Sequence, residues 1–222
     1  MSDDLRDAEA AFLRYEAVRG RLPAARFPAA PIFARDLSEV AERWDGFVLD
    51  AFGVDVPLFA MGLVGADQHG ATCRAALAGS RADLRWLETT TRAMTAHTHV
   101  MTLPGDSRTF FYHPGCNDLL SEGDLPVEAA AQAGAGVFYL GYLNLLGALD
   151  ALQDGQTGAA RVLARARAAG RMTCVDLVSK AGPDFAAVVA ASLPQIDYLF
   201  LNEVEAARAS GLPIAGADDR DG

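Results

Sequence analysis

The segment VPLFAMGLVGADQHG, residues 56–70, decides the fold. Its apolar half predicts a buried strand that ends at Gly65, and Asp67 can cap a helix over residues 68–79. Gly62, Gly65 and Gly70 allow the backbone to turn tightly where the strand meets the helix. A strand that runs directly into a capped helix is the repeating unit of a parallel sheet covered by helices.

The same unit recurs along the rest of the chain. Apolar runs predict strands at residues 136–142, 172–178 and 197–201, and helices are expected from about 145, over 157–170, near 183 and over 203–210. Two alternating segments around a turn, residues 94–113, predict a β-hairpin outside this rhythm. We therefore expect an α/β fold with a parallel sheet, a small hairpin and a helical arm at residues 7–19.

The composition excludes several classes of protein. The net charge is −10 and the pI is about 4.8, which argues against nucleic acid as a partner. The three cysteines form no CxxC pair, and the acidic N-terminus has no apolar segment of a signal peptide. No apolar run has the length of a membrane span. We expect a cytoplasmic protein that binds neither nucleic acid nor membrane.

Polar residues at the ends of the predicted strands are candidates for a binding site. Asp176 ends a strand, where open α/β sheets bind their ligands, and Lys180 could reach a phosphate. Asn202 and Glu205 lie three apart at a helix start, so both can hold water molecules of a Mg²⁺ ion. The alternative for this pair is a helix cap and a solvated glutamate.

Three motifs occur in the order and spacing of one family. The segments GLVGADQHG (62–70), SRTFFYHPGCND (107–118) and PQIDYLFLNEVEAARASG (194–211) resemble the PfkB family of carbohydrate kinases over residues 54–222. The resemblance implies a ribokinase-like parallel sheet flanked by helices. It also implies that the hairpin of residues 94–113 is a lid that covers the substrate.

The resemblance also implies a reaction and a site. The family transfers the γ-phosphate of ATP to a hydroxyl of a sugar or sugar acid, with Mg²⁺ as cofactor. Lys180 and Asn202 would contact the cofactor, and Asn202 with Glu205 would serve the metal. The substrate-binding residues implied are Gly65, Asp67, Tyr112, Asn117 and Asp176. For the glycines and Asn117 a plain turn is the alternative, and for Tyr112 packing under the lid.

Two histidines alternate on the first lid strand. His97 and His99 are two residues apart, so they point to the same side of the strand. Two imidazoles are half of a metal site, and no neighbouring ligand has the expected spacing. We interpret them as lid residues without a metal.

Both ends of the chain depart from the family pattern. No Gly-Ala-Gly-Asp motif is present, and the similar GAGV has Val137 in the place of the acid. Residues 1–53 resemble the start of haloacid dehalogenase-type hydrolases, with Asp50 as nucleophile but Phe52 in the place of the second acid. We expect a kinase domain incomplete at both ends and inactive alone, forming a homo-oligomer or binding a complementing chain. The alternatives are a phosphatase that uses Asp50 and a non-catalytic interaction module.

Overall fold

A computed structural model describes residues 57–78, 82–102, 108–180, 182 and 184–212. These residues belong to one compact unit, Pro57–Gly222. The arm predicted at residues 7–19, the candidate nucleophile Asp50 and the tip of the hairpin at residues 103–107 lie outside the described residues.

Strands and helices alternate along most of the described chain. The strands are β1 (Phe59–Gly65), β2 (Asp83–Thr90), β3 (His97–Thr102), β4 (Arg108–His113), β5 (Val137–Leu143), β6 (Met172–Leu177) and β7 (Tyr198–Phe200). The helices are α1 (Gln68–Ala78), α2 (Val127–Gln132), α3 (Gly147–Asp150), α4 (Gly158–Ala168), α5 (Phe185–Ser192) and α6 (Glu203–Ser210). Short 3-10 helices occupy Gly115–Leu119, Glu122–Asp124 and Leu193–Gln195.

The pairing of the strands confirms the predicted α/β architecture. Strands β1 and β2 form a parallel pair, and β5, β6 and β7 form a parallel sheet in that order. The predicted hairpin is present, because β3 pairs with β4 in antiparallel register, with His97 opposite His113. We call β3, β4 and their connection the lid hairpin.

One strand and one α-helix of the described residues were not predicted from the sequence. Strand β2 was missed because Asp83, Arg85 and Glu88 interrupt its apolar pattern, and only its Leu87 and Thr90 are buried. Residues 88–102, which include six threonines, therefore contain the end of β2 as well as the start of the lid hairpin. Helix α2 has only six residues, too few to show a clear helical period.

Local signals explain where the longer helices begin and end. The hydroxyl of Thr157 accepts the Ala160 N–H at 3.0 Å, which caps the start of α4. Beyond the end of α4, Gly170 has a φ of 72°, a conformation that glycine adopts without strain. Gly211 closes α6 in the same way, with a φ of 69°.

The core lies on one face of the sheet formed by β5, β6 and β7. Phe138, Leu140, Val175 and Leu177 point into it, and α4 and α5 cover them. The partly buried Met61 and Leu63 of β1 pack against the same cluster. The β1–β2 pair and the three-stranded sheet therefore share one hydrophobic core.

The opposite face of this sheet is exposed, and we call it the open face. Alternate residues of all three strands point outward, and their side chains are 42% to 56% exposed: Val137, Tyr139, Met172, Tyr198 and Phe200. Parallel sheets are normally covered on both faces. In the described residues, this face has no covering layer.

Among the residues that the structure describes, no helix is long and apolar enough to span a membrane.

Candidate functional site

The turn after β1 is organised by the carboxylate of Asp67. Its Oδ1 accepts hydrogen bonds from the Gly70 N–H at 2.8 Å and the Thr95 hydroxyl at 2.7 Å, and its Oδ2 accepts the Thr95 N–H at 2.7 Å. These bonds lower the pKa of Asp67 to about 2, with the Gly70 and Thr95 amides as the largest causes. The predicted cap of α1 is confirmed, and the same side chain also holds the root of the lid hairpin.

Glycines are required here because backbones approach each other closely. A Cβ on Gly65 would lie 2.5 Å from the Thr95 nitrogen, and one on Gly70 would lie 2.1 Å from the Gly65 carbonyl oxygen. The Gly65 N–H donates to the Thr95 hydroxyl at 2.8 Å. The glycine pattern that predicted a tight junction therefore reflects the docking of the lid root onto the end of β1.

The second strand of the lid hairpin carries Tyr112, which links the lid to the end of β5. Its hydroxyl donates to the Leu145 carbonyl at 3.4 Å and accepts the Asn117 side-chain N–H at 3.1 Å. Burial is the main cause that raises the pKa of Tyr112. The structure thus brings together two predicted substrate-binding residues, while the neighbouring Phe111 is 56% exposed.

Asn202 and Glu205 form a reciprocal cap at the start of α6. The Asn202 side chain accepts the Glu205 N–H at 2.9 Å, and the Glu205 carboxylate accepts the Asn202 N–H at 2.9 Å. The Ser179 hydroxyl donates to the other Glu205 oxygen at 2.8 Å and accepts the Asn202 side-chain N–H at 3.1 Å. Glu205 is only 5% exposed, so it is not the solvated glutamate that the alternative to a metal site assumed.

Asp176 lies on the open face near the end of β6. The Tyr139 hydroxyl donates to its carboxylate at 3.2 Å. Burial raises the pKa of Asp176, the Tyr139 hydrogen bond opposes this change, and the negative charge of Glu205 adds to it. Asp176 and Glu205 are therefore within electrostatic reach of each other at the C-terminal edge of the sheet.

A separate cleft of about 240 Å³ lies beyond the ends of β5 and β6, and Lys180 is on its lining. Asp150 also lines it, with Oδ2 accepting the Leu146 N–H at 2.6 Å and Oδ1 buried without a hydrogen-bond partner. Burial raises the pKa of Asp150 to about 6, and the backbone N–H groups of Leu146 and Asn144, followed by the charge of Lys180, oppose this rise. Lys180 therefore faces a buried carboxylate that the sequence analysis did not single out.

The site contains further residues that sequence reasoning missed. Thr95, Ser179 and Tyr139 each hold a predicted site residue, yet each is an ordinary residue in its segment. Only the position of Ser179, just after a predicted strand, is a signal that could have identified it. Thr95 is one of several threonines between residues 89 and 102, so its contact with Asp67 could not be foreseen.

Comparisons with known proteins identify the family and the fold. The model of the pfkB family carbohydrate kinases matches residues 47–221, a span that includes Asp50. No curated protein matches the chain.

Solved structures share the fold at low sequence identity. A fructokinase from Xylella fastidiosa with bound ATP is 20% identical over 69% of this chain and 48% of its own, with a TM-score of 0.55. A ribokinase from Arabidopsis thaliana complexed with ribose and ATP is 22% identical over 72% and 47%, with a TM-score of 0.50. A PfkB protein from Polaromonas sp. JS666 is 17% identical over 85% and 64%, with a TM-score of 0.59.

The chain spans about half the length of the first two of these structures. The family model nevertheless covers most of the chain, and the described sheets and hairpin follow the architecture that the motifs predicted. The chain belongs to the PfkB family of carbohydrate kinases.

Proposed function

We propose that this protein takes part in the transfer of the γ-phosphate of ATP to a hydroxyl of a sugar or sugar acid. The observation that carries the proposal is the family match over residues 47–221. The similar fructokinase binds ATP, and the similar ribokinase binds ribose and ATP. The location of the polar clusters supports it, because they follow the C-terminal ends of parallel strands, where such sheets bind ligands.

The lid hairpin and the turn after β1 would form the sugar-binding side. Tyr112 and Asn117 hydrogen-bond to each other, so the two side chains are held together at the base of the lid hairpin, and we assign both to the sugar. Asp67 accepts three hydrogen bonds from the chain, so we assign it the role of positioning the lid root. Gly65 has no side chain, which lets the backbone of Thr95 at the lid root lie close to the end of β1. A closed lid would exclude water from the reacting phosphate.

The edge that carries Asp176, Asn202 and Glu205 would serve Mg²⁺ and the ATP phosphates. Each Glu205 oxygen accepts one hydrogen bond from the chain and keeps a second lone pair for a metal-bound water. Carboxylate and amide oxygens are the ligands that Mg²⁺ prefers, so the donor set fits this ion. Mg²⁺ would supply neutralisation of the phosphate charge. We assign Lys180 to the phosphates through its charge alone.

Thermal unfolding of the 222-residue chain with and without millimolar Mg-ATP tests this proposal. Binding to the folded state alone adds about 2.7 kcal/mol of stability at a hundredfold excess over Kd. We expect an upward shift that EDTA abolishes. Turnover measured as ADP release should be negligible, because the sequence has no Gly-Ala-Gly-Asp motif.

The matched variant for this test is Glu205→Gln. Glutamine keeps the reciprocal cap but removes the negative charge, so the fold should persist while the Mg-ATP shift becomes smaller. A panel of sugars and sugar acids is examined in the same way. If neither ATP nor any sugar moves the transition of the unaltered chain, kinase-type binding by this chain is refuted.

The open face favours a second candidate, an interaction module that associates with the rest of a kinase fold. Exposed apolar side chains on all three strands of a parallel sheet require a covering layer, and the chain spans about half of the matched kinases. This candidate predicts self-association or marginal stability of the isolated chain in size-exclusion chromatography and thermal melts. A monodisperse monomer with sharp unfolding at high temperature would rule it out. The phosphatase alternative depends on Asp50, which lies outside the described residues.

A further inference from the structure

The lid hairpin has a second attachment besides its root at Asp67, and it lies on the segment after β5. The Tyr112 hydroxyl of β4 donates to the Leu145 carbonyl oxygen at 3.4 Å and accepts the Asn117 side-chain N–H at 3.1 Å. We call the Tyr112 hydroxyl and the Leu145 carbonyl the lid dock. A two-stranded hairpin is only marginally stable alone. The lid hairpin therefore depends on such attachments to remain folded and in place.

The carbonyl group of the lid dock belongs to a peptide group that Asp150 holds from the other side. The peptide bond between Leu145 and Leu146 joins the Leu145 carbonyl to the Leu146 N–H. That N–H donates to Oδ2 of Asp150 at 2.6 Å. Because a trans peptide group is planar, its carbonyl and its N–H point in opposite directions and turn together. The bond to Asp150 therefore also fixes the direction in which the Leu145 carbonyl faces Tyr112.

Asp150 holds this peptide group firmly. The 2.6 Å distance is short even for a hydrogen bond to an ionised acceptor. The Asp150 N–H also donates to the Leu146 carbonyl oxygen at 2.8 Å, so the two residues are bound to each other at two points. Leu146 is only 4% exposed, so water has little access to its N–H if the carboxylate is removed.

The backbone before the lid dock needs to be held in this way. Asn144 has a φ of 74°, in the left-handed region that residues other than glycine rarely adopt. Its side-chain nitrogen and Oδ1 of Asp150 are both buried without a hydrogen-bond partner among the described residues. The amide nitrogen of Asn144 therefore does not fix the turn, whereas Oδ2 of Asp150 does.

We propose that Asp150 is a positioning residue for the lid hairpin. By holding the Leu146 N–H it orients the Leu145 carbonyl, and this carbonyl in turn retains Tyr112 and the lid strand β4. The requirement is for an acceptor oxygen at position 150 and not for its negative charge. In phosphoryl transfer the hairpin would close over the sugar, and this part of the inference rests on the proposed function.

Hydrogen exchange of the full chain without ligand, measured at the amides of β3 and β4, tests the proposal. Asp150→Leu keeps the approximate volume of the side chain and removes the acceptor. We expect it to accelerate exchange in the lid hairpin about fivefold, the factor that one net hydrogen bond provides. Asp150→Asn keeps an acceptor oxygen, so exchange in the lid hairpin should be no faster than in the original chain. The control is Asp184→Ala, which removes an exposed carboxylate that lines the same cleft.

A second variant separates positioning of the lid hairpin from a general loss of stability. Tyr112→Phe removes the hydroxyl of the lid dock and should accelerate exchange in the lid hairpin by a similar factor. If Asp150 acts through the lid dock, Asp150→Leu adds little further acceleration in the Tyr112→Phe background. Exchange at the amides of α4, which packs in the core, reports global stability in every variant. Asp150→Ala takes the place of Asp150→Leu if the leucine variant does not fold.

Four results would each overturn the proposal. They are unchanged exchange in the lid hairpin of Asp150→Leu, equal acceleration in the lid hairpin and in α4, no rescue by Asp150→Asn, and additive effects of Asp150→Leu and Tyr112→Phe. Since no ligand is added, a chain that binds no ATP can still confirm the role of Asp150, and a chain that binds ATP can still refute it.

Discussion

Two aspartates follow the ends of two parallel strands, and their surroundings are opposite. Asp67, after β1, accepts three hydrogen bonds from the chain, and its pKa falls to about 2. Asp150, after β5, has one carboxylate oxygen that is buried without a partner, and its pKa rises to about 6. The comparison shows that hydrogen bonds to the charged carboxylate lower the pKa of Asp67, whereas burial raises the pKa of Asp150.

The turn after β1 and the short helix α3 after β5 also differ in how tightly they are packed, and the largest expected effect follows from this. A Cβ on Gly70 would meet the Gly65 carbonyl oxygen, which belongs to a strand and cannot move alone. A Cβ on Gly147 would meet mainly the side chain of Asp118, which can rotate away. We expect Gly70→Ala to cost about 3 kcal/mol of unfolding free energy and Gly147→Ala about 1 kcal/mol.

Urea unfolding of both glycine variants measures this difference. Gly136→Ala is the control, since a Cβ there has no atom within 4 Å. Equal losses of unfolding free energy in Gly70→Ala and Gly147→Ala would show that the turn after β1 is no more rigid than α3.

A change of intermediate size is expected for Asp150→Asn. At pH 7 the buried charge of Asp150 destabilises the folded state, so asparagine should raise the unfolding free energy by about 1–3 kcal/mol. Because folding raises the pKa of Asp150, its favourable contribution is complete below the unfolded value near 4 and is lost as the pH rises through about 6. The advantage of the variant should therefore shrink between pH 7 and pH 4.

The matched control is Asp154→Asn, which changes an exposed carboxylate of the same chain. A variant at position 150 that is no more stable than the original at pH 7 would indicate that Lys180 compensates the charge.

The smallest global effect is expected for Asp67→Asn. Asparagine can keep the bonds to Gly70 and the Thr95 hydroxyl, but its amide would face the Thr95 N–H in place of an acceptor. We expect faster hydrogen exchange of the Thr95 amide, with little change elsewhere. Since folding lowers the pKa of Asp67, its contribution is present above its usual value and is lost as the pH falls through about 2. Unchanged exchange at Thr95 would contradict the positioning role.

The sequence predicted one of these two turns and not the other, for a physical reason. Around Asp67 the information is local, since an aspartate between glycines at a strand end specifies both a cap and a tight turn. Around Asp150 the deciding factor is burial, which depends on where α3 and the segment after β6 pack. Nothing in the residues near Asp150 reveals this.

The same distinction explains the rest of the fold and site. Long apolar strands and capped helices such as α4 and α6 were predicted, because their signals lie within the element. The charged strand β2 and the six-residue helix α2 depend on neighbours for stability and were missed. Contacts across elements, such as Ser179 with Glu205, require the fold and could not be read from spacing.

The open face of the β5–β6–β7 sheet has a consequence for the behaviour of the chain in salt solutions. A net charge of −10 makes two molecules repel each other at low ionic strength, which keeps their apolar faces apart. Added salt screens this repulsion within about 10 Å at 0.1 M and leaves the apolar attraction intact. Among the described residues no layer covers this face, so the colloidal stability of the isolated chain should decrease as salt is added.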